Sequence, residues 1–504
     1  MKKAVNFKTS QGNLYLYSPF RNQLLLCHPL VQYLFELNVN GADLKQHVSL
    51  LKSSGKIVIP QYGSFSHKEL LYQLKKFNFL KKHHFFKTPK SINLNGRLLP
   101  SRVEKNITMI QQVIFETTED CNLSCTYCTF SKFYINKERG KRKFNAADAK
   151  KALDYLLSAR DNHSGQLIIS FYGGEPLKNF RFIKEIVEYA TIAYGKRHSF
   201  KFTMSSNGLL LSKYAGFLTK HDFDISVSLD GDEAGNSFRV LPNYKSSFNL
   251  VVKNLDFVKE HYPEYFEKSI SFLTVLHNKN SFTGVNDFFM QKYGKIPLAS
   301  LISTQNINDP YRDEFQKTFL DGTRNDDHGG NSMQNLFMNH PVVKELANTI
   351  EKYSGYVFKN HFQVMSRVNG NSGTKEFVPT ATCSPFSMRV FLTADGCIVP
   401  CEHISRVFEI GQLNNSEIHI RNESVAHMFN KCFDKIRPVC NQCFLADNCK
   451  ECVFNTRVET DDPLCEYFMD EKKFSQYLAR SFNAIEENFP LYRRVIKEAY
   501  HEEK

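Results

Sequence analysis

Alternating strand and helix patterns between about residues 111 and 292 constrain the fold of this chain most strongly. Short apolar runs, beginning with QQVIFETT, are each followed by a stretch with helical periodicity, and this unit recurs along the segment. Strands that alternate with helices at this spacing form a parallel sheet through right-handed crossovers. The sequence therefore predicts an α/β fold whose sheet is either open or curled into a partial barrel.

The segments on either side follow other patterns. Between about residues 10 and 90, NLYLYS and NQLLLC predict a hairpin and HKELLYQLKKFNFLKK predicts a helix, as in a small winged-helix-like unit. Residues 383–465 are rich in cysteine and show little periodicity, as metal-held domains often do. We predict five segments: a winged-helix-like unit with its linker (1–104), the α/β unit (105–300), a linking region (301–382), a cysteine-rich domain (383–470) and C-terminal helices (471–504).

Composition excludes several protein classes. With 42% apolar and 23% charged residues, the chain fits a soluble globular protein, neither disordered nor fibrous. No apolar stretch follows the first residues and no run is long enough to cross a bilayer, so we expect a cytoplasmic protein with no membrane partner. Thirteen cysteines without a secretory signal favour metal ligation over disulfides. The net charge of +13 fits an ordinary solvated surface, with an acidic peptide or nucleic acid partner as the alternative.

Three cysteines lie on the loop directly after the first strand of the alternating segment. They are Cys121, Cys125 and Cys128 in CNLSCTYC. Zinc usually takes four protein ligands in a structural site, and no fourth cysteine or histidine lies nearby in the sequence. A [4Fe–4S] cluster held by three thiolates leaves one iron free to bind a chelating cofactor. A zinc loop completed from elsewhere in the chain is the alternative.

The next three strands end in the polar, glycine-containing sequences GGEP, SSNG and SLDG. In an α/β barrel, the carboxyl ends of the strands meet at one face, where the functional site lies. Each sequence alone is a common turn. In this order and register, however, they predict one pocket shared with the cysteine triplet.

The CxxxCxxC spacing, with Tyr127 before the last cysteine, resembles the radical S-adenosylmethionine (SAM) superfamily. The resemblance implies a partial (β/α)6 barrel whose cluster binds SAM and cleaves it to a 5′-deoxyadenosyl radical that abstracts hydrogen. It also implies that the GGEP backbone receives the methionyl amine, that SNG and SLDG lie near the ribose and the methionyl carboxylate, and that Arg239 pairs with that carboxylate. The cofactor-binding residues that it assigns are Tyr127, Gly173, Gly174, Glu175, Ser206, Asn207, Ser228, Asp230 and Arg239.

A second group of cysteines is similar in spacing to the SPASM domain, a C-terminal extension of radical SAM enzymes that modify peptides and proteins. The chain departs from the usual pattern because two residues, not three, separate Cys449 from Cys452. The resemblance implies two auxiliary [4Fe–4S] clusters, of which the inner one lacks a fourth ligand, with Cys397 in reserve. Its ligand sets are Cys440, Cys443, Cys449 and Cys465 for the outer cluster and Cys383, Cys401 and Cys452 for the inner one. A zinc ribbon built on two CxxC pairs is the alternative.

The whole arrangement resembles radical SAM peptide maturases, in which an N-terminal unit binds the leader of a precursor as an added strand. The resemblance implies an oxidoreductase that crosslinks or otherwise modifies a ribosomally made precursor peptide, with electrons from a donor such as flavodoxin or ferredoxin. Glu402 follows Cys401 where relatives carry an aspartate proposed as a base, so Glu402 is the candidate catalytic residue. A surface carboxylate is the alternative role. Two other functions stay open: an anaerobic sulfatase-maturating (formylglycine-generating) enzyme, and a zinc-dependent nucleic-acid-binding protein.

Overall fold

The computed structural model describes residues 4–21, 23–50, 56–87, 97–135, 140–160, 165–321, 341–353, 382–414, 417–446, 449 and 451–500. Residues 88–96 of the predicted linker lie outside these ranges. So do residues 322–340 and 354–381 of the predicted linking region.

The N-terminal unit is a three-stranded antiparallel sheet with helices on one face. Its strands, β1 (Val5–Lys8), β2 (Leu14–Ser18) and β3 (Gln23–Leu26), pair in chain order. The remaining elements are α1 (Pro29–Val39), α2 (Leu44–Leu50), the hairpin of β4 (Ile57–Ile59) and β5 (Gly63–Phe65), and α3 (His67–Lys82). Ser66 and Glu69 form a capping box that fixes where α3 begins. The β2–β3 hairpin agrees with the alternation of NLYLYS and NQLLLC, whereas β1 was not predicted.

The central unit is a parallel sheet, as the alternation predicts. Its strands pair in chain order and are β6 (Gln112–Thr118), β7 (Leu167–Gly173), β8 (Phe200–Ser206), β9 (Asp224–Ser228), β10 (Ile270–Leu276) and β11 (Leu298–Leu301). Its helices are α4 (Pro100–Thr108), α5 (Ala146–Ala159), α6 (Phe180–Tyr194), α7 (Leu211–Lys220), α8 (Phe248–His261), α9 (Pro263–Ser269) and α10 (Phe282–Tyr293). Because every pair is parallel, the carboxyl ends of these strands lie at one edge.

The C-terminal segment extends the same sheet. β12 (Arg389–Leu392) pairs in parallel with β6, and β13 (Cys397–Val399), β14 (Gly411–Asn414) and β15 (Glu417–His419) continue it in antiparallel fashion, which gives ten strands within the described residues. The remaining helices are α11 (Arg312–Phe315), α12 (Pro341–Tyr353), α13 (Asn422–Gln442), α14 (Glu471–Glu487) and α15 (Phe489–Tyr500). One apolar core joins Val113 and Phe171 to Val390 and Phe433, so the two segments share their packing.

The second face of the N-terminal sheet packs on the C-terminal segment. Val5, Phe7 and Tyr17 form an apolar cluster with Phe444 and with residues of α14. Phe444 directly follows Cys443, so the N-terminal unit lies against the cysteine-rich segment. None of the described helices has the length and apolar character needed to cross a membrane.

Candidate active site

The cysteines of CNLSCTYC lie on the loop between β6 and α5, at the carboxyl edge of the sheet. Burial raises the pKa of Cys125 to about 12, Arg239 opposes this shift, and the neighbouring thiols of Cys128 and Cys121 add to it. The three side chains are therefore close enough to influence one another. At neutral pH a free thiol at Cys125 stays protonated, so its thiolate needs a bound cation for stabilisation.

Gly173 and Gly174 lie where the chain after β7 passes against the segment that leads to Cys121. The N–H of Gly174 donates to the Thr118 carbonyl oxygen over 2.8 Å. A Cβ at Gly173 would lie 2.2 Å from that carbonyl oxygen, and one at Gly174 would lie 2.4 Å from the Asp120 carbonyl oxygen. Gly173 also has a φ of +128°, which favours glycine. The glycines of GGEP thus permit a backbone approach that a side chain would block.

Glu175 joins the GGEP and SSNG elements. Its buried carboxylate accepts hydrogen bonds from the Ser206 hydroxyl (2.9 Å) and from the Asn207 backbone N–H (2.8 Å). The Asn207 side-chain amide in turn donates to the side-chain oxygen of Asn122 (2.7 Å) and to Cys121 Sγ (3.7 Å). The structure therefore brings these predicted site residues together with the cysteine loop. Glu175 positions Asn207 through hydrogen bonds inside the protein.

Asp230, directly after β9, lies in a fully buried network. Arg239 Nε donates to its Oδ2 over 2.9 Å, the Tyr127 hydroxyl donates to the same oxygen, and His277 Nε2 lies 3.8 Å from it. Burial raises the pKa of Asp230, but Arg239, His277 and Tyr127 more than offset this, so the pKa lies below its usual value. The ionised carboxylate therefore holds Arg239 and Tyr127 behind the cysteine loop. Ser228 is half-buried at the end of β9.

A cavity of about 620 Å³ lies against the sheet face formed by β6, β7, β12 and β13. Tyr172 and Gly173 line it on one side, and Glu402, His403 and Arg406 line it on the other. Sequence reasoning did not identify Tyr172, although its place directly before GGEP at a strand end is a usable signal.

Tyr172 connects this cavity to both cysteine regions. Burial raises the pKa of Tyr172 to about 12, and the nearby charges of Glu402, Cys128 and Cys401 contribute to the shift. The side chain therefore lies close to the first cysteine loop and also close to Cys401. No residue in the described ranges forms a hydrogen bond with its hydroxyl.

The two carboxylate oxygens of Glu402 differ in their hydrogen bonds. Its side chain is 12% exposed, and Oε1 accepts a hydrogen bond from Arg389 over 3.0 Å. Oε2 is buried and accepts no N–H or O–H hydrogen bond from the described residues, and the Cys401 thiol lies beside the carboxylate. A buried polar atom without a partner is costly, so this oxygen is suited to bind or accept a proton from a molecule in the cavity.

Two arginines tie the cavity wall together. Arg406 pairs with Glu116 (3.0 Å), Glu119 (3.0 Å) and Asp395 (2.7 Å), and Arg142 pairs with Glu119 (2.9 Å) and Asp395 (3.0 Å). This network joins the strand and loop before the first cysteine triplet to the loop that follows Cys401. Arg142 is part of the basic run GKRK (residues 140–143). At least this residue of the run forms ion pairs within the protein.

The C-terminal cysteines lie in groups. Neighbouring Cys443 and Cys449 raise the pKa of Cys465, after the larger effect of burial, and Cys383 does the same for Cys452. These proximities agree with part of the ligand sets that the SPASM resemblance implies, which stay predictions.

The cysteines that are not assigned to a predicted cluster are buried in the structure. Cys27, Cys397 and Cys432 are all enclosed, as expected for structural thiols. Cys397, considered as a reserve ligand, lies in β13 with its thiol 3.5 Å from Glu409 Oε2. It therefore has a structural partner of its own.

Comparison with known proteins decides the family of the central unit. The family model of the radical SAM superfamily matches residues 115–282. These residues form a radical SAM domain. It contains the cysteine triplet, GGEP, SSNG and SLDG, so the match disfavours the zinc-dependent nucleic-acid-binding alternative.

Relatives of the chain include a sulfatase-maturating enzyme and a cyclopropyl synthase. The chain is 27% identical over 210 residues to a cysteine-type anaerobic sulfatase-maturating enzyme of Clostridium novyi, covering 40% of this chain and 53% of that protein. It is 25% identical over 228 residues to the radical SAM cyclopropyl synthase TigE of Paramaledivibacter caminithermalis, covering 43% and 45%. In both matches the chain spans about half the length of the relative. A solved structure of native anSMEcpe with bound AdoMet aligns over 78% of this chain and 100% of its own, with a TM-score of 0.49 and 17% identity.

A radical SAM domain implies a [4Fe–4S] cluster and SAM. The residues present fit this cluster, because Cys121, Cys125 and Cys128 supply three adjacent thiols and the amide of Asn207 donates to one of the sulfurs. The assignments of GGEP, SNG, SLDG and Arg239 to individual groups of SAM stay predictions. In this structure, the guanidinium of Arg239 bonds to Asp230.

Proposed function

We propose that the protein is a radical SAM peptide maturase that oxidises a ribosomally made precursor peptide, forming a crosslink or a related modification. The cavity carries this proposal, because it adjoins both the first cysteine loop and the Cys401–Glu402 segment. Its volume of about 620 Å³ accommodates a side chain with its neighbouring peptide units. The match to a sulfatase-maturating enzyme supports a peptide or protein substrate.

The chain's own residues account for binding and proton transfer in this proposal. Cys121, Cys125 and Cys128 would hold the cluster with SAM, whose chemistry when bound would be removal of one hydrogen atom from the peptide by a 5′-deoxyadenosyl radical. Tyr172 lines the cavity with its aromatic ring, and its hydroxyl, which forms no hydrogen bond within the part of the chain that the structure describes, can bind a peptide carbonyl. Glu402 accepts through Oε2 the proton that the peptide loses as it is oxidised. The C-terminal cysteines would hold auxiliary clusters that could accept the accompanying electron, so the peptide would lose two hydrogens in all.

The N-terminal unit supports a peptide substrate with a leader. β3 is an edge strand, because no strand in the described residues pairs with its outer side, and its Leu26 is 62% exposed. An extended peptide can add to such an edge through backbone hydrogen bonds. Residues 1–87 contain thirteen lysines and arginines but three aspartates and glutamates, so most of the net charge lies here. We therefore expect an acidic leader, bound at β3.

An anaerobic sulfatase maturase is the second candidate, favoured by the match to the Clostridium novyi enzyme. Anaerobic incubation with SAM, a reductant such as reduced flavodoxin, and either a short peptide encoded beside the gene or a sulfatase peptide separates the two. Mass spectrometry of the neighbouring peptide should show a loss of two hydrogens. Formylglycine in the sulfatase peptide, with an unchanged neighbouring peptide, would overturn the proposal in favour of the second candidate.

A further inference from the structure

Cys401, Glu402 and His403 place a sulfur, a carboxylate oxygen and an imidazole nitrogen within 4.8 Å of one another. His403 lines the cavity with a side chain that is 68% exposed, so its ring is accessible to a ligand. Its backbone N–H donates to Cys401 Sγ over 3.4 Å, which keeps the two residues together. Thiolate and imidazole are both common ligands of iron.

His403 can supply the fourth donor that the predicted inner auxiliary site lacks, and this step rests on the proposed function. The predicted set of Cys383, Cys401 and Cys452 provides three thiolates, and a [4Fe–4S] cluster has four irons. Two buried thiols lie on neighbouring elements. Cys397 contacts Glu409 (3.5 Å), and Cys432 lies near Cys452 but is enclosed in the core and does not line the cavity. Among the described residues, His403 therefore combines exposure to the cavity with closeness to an assigned ligand.

Glu402 orients the ring as a ligand would require. His403 Nε2 lies 3.4 Å from Glu402 Oε1, and a hydrogen on Nε2 beside this carboxylate leaves Nδ1 as the nitrogen with the free lone pair. A metal-bound histidine in proteins usually donates its other N–H to a carboxylate or carbonyl in this way. The second oxygen of Glu402, Oε2, stays available for the proton of the substrate.

We infer that His403 is the fourth ligand of the inner auxiliary [4Fe–4S] cluster, bound through Nδ1 and oriented by Glu402. A neutral imidazole in place of a thiolate makes the cluster one charge less negative, which raises its reduction potential. A higher potential suits a cluster that accepts the electron of an oxidised peptide.

The test is pulsed electron paramagnetic resonance of the reduced auxiliary clusters in the full-length protein. Cys121, Cys125 and Cys128 are all replaced by Ala, so that neither the first cluster nor the amine of SAM contributes a signal. We expect a strong hyperfine coupling from a directly bound imidazole nitrogen, which changes from the 14N to the 15N pattern when histidine alone is labelled. His403→Ala should abolish the coupling. His403→Cys should retain the auxiliary iron without it.

His419→Ala is the matched control, because His419 is also exposed and lies 3.9 Å from a neighbouring carboxylate, Glu417. This variant should keep the nitrogen coupling. Auxiliary cluster signals without histidine coupling in the parent, or a coupling that survives in His403→Ala, would overturn the assignment and leave the proposed function intact. Absence of any auxiliary iron signal would overturn both.

Discussion

Asp230→Asn tests whether the buried network behind the cysteine loop holds that loop in place. The carboxylate is fully buried and accepts hydrogen bonds from Arg239 (2.9 Å) and from the backbone N–H of Val275 (3.0 Å). Asparagine can still accept from Val275, but the Arg239 side chain, which is 11% exposed, loses its counter-charge. Removing one partner of a buried ion pair costs about 3–5 kcal/mol. An entropy of unfolding of about 2.1 cal/mol/K per residue gives about 1 °C of Tm per kcal/mol for a unit the size of this 504-residue chain, so the Tm should fall by roughly 3–5 °C.

Thermal unfolding of the metal-free protein measures this loss, because every group of the network belongs to the chain. The control combines Asp230→Asn with Arg239→Met, which removes the orphaned guanidinium and should recover part of the lost stability. After reconstitution, Asp230→Asn should also form less 5′-deoxyadenosine, since Tyr127 adjoins Cys128. A single variant within about 1 °C of the wild type, or a double variant that is less stable than the single one, would refute the reasoning.

Four further predictions address the two metal regions, the base, the cavity wall and the leader. Cys125→Ala should abolish 5′-deoxyadenosine formation, whereas Cys443→Ala should spare it at least partly while stopping peptide modification; equal effects in a chromatographic assay would contradict the separate roles. Glu402→Gln should slow product formation by about 100-fold or more with 5′-deoxyadenosine still formed, and an unchanged product rate would exclude a role as base. Burial raises the pKa of Glu116 and Arg406 lowers it, so Arg406→Met should raise it further. An acid whose pKa is higher in the folded than in the unfolded state destabilises the fold most at high pH. Urea unfolding of this variant should therefore show a larger loss in the free energy of unfolding at about pH 8 than at about pH 5. An equal loss at the two pH values would contradict this cause. Finally, binding of a labelled leader peptide should weaken as salt rises from about 50 to about 200 mM, and a salt-independent affinity would argue against an acidic leader.

The sequence predicted the elements that depend on local patterns. Apolar runs and helical periodicity between residues 111 and 292 were enough to predict the parallel strands, and the polar strand ends were enough to predict that these motifs follow neighbouring strands at one edge of the sheet. The strand order places CNLSCTYC, GGEP, SSNG and SLDG at the ends of β6, β7, β8 and β9, as expected. Local sequence carries this information because each motif is short and lies at a strand terminus.

Other features depend on contacts between distant parts of the chain. β12 is four residues long and pairs with β6, so no periodicity signals it. His277 and Arg406 are single residues whose roles come from partners far away in the sequence, Asp230 for the first and Glu116 for the second. The docking of the N-terminal sheet on α14 likewise joins the two ends of the chain. Such contacts emerge only from the folded topology.

The shared sheet explains why the cavity can serve two cysteine regions at once. Register places Ile114 opposite Phe391, and Phe391 opposite Val399, on the face that the cavity occupies. Glu116 is paired with Tyr172 on the same face. Because side chains alternate along a strand, the neighbouring residues of these strands point to the helical side and pack in the main core. Backbone hydrogen bonds of a continuous sheet therefore connect the wall of the radical SAM domain to the wall that leads to Cys401. We expect the cavity to be preformed, and a peptide can reach both regions without closure of one domain on another.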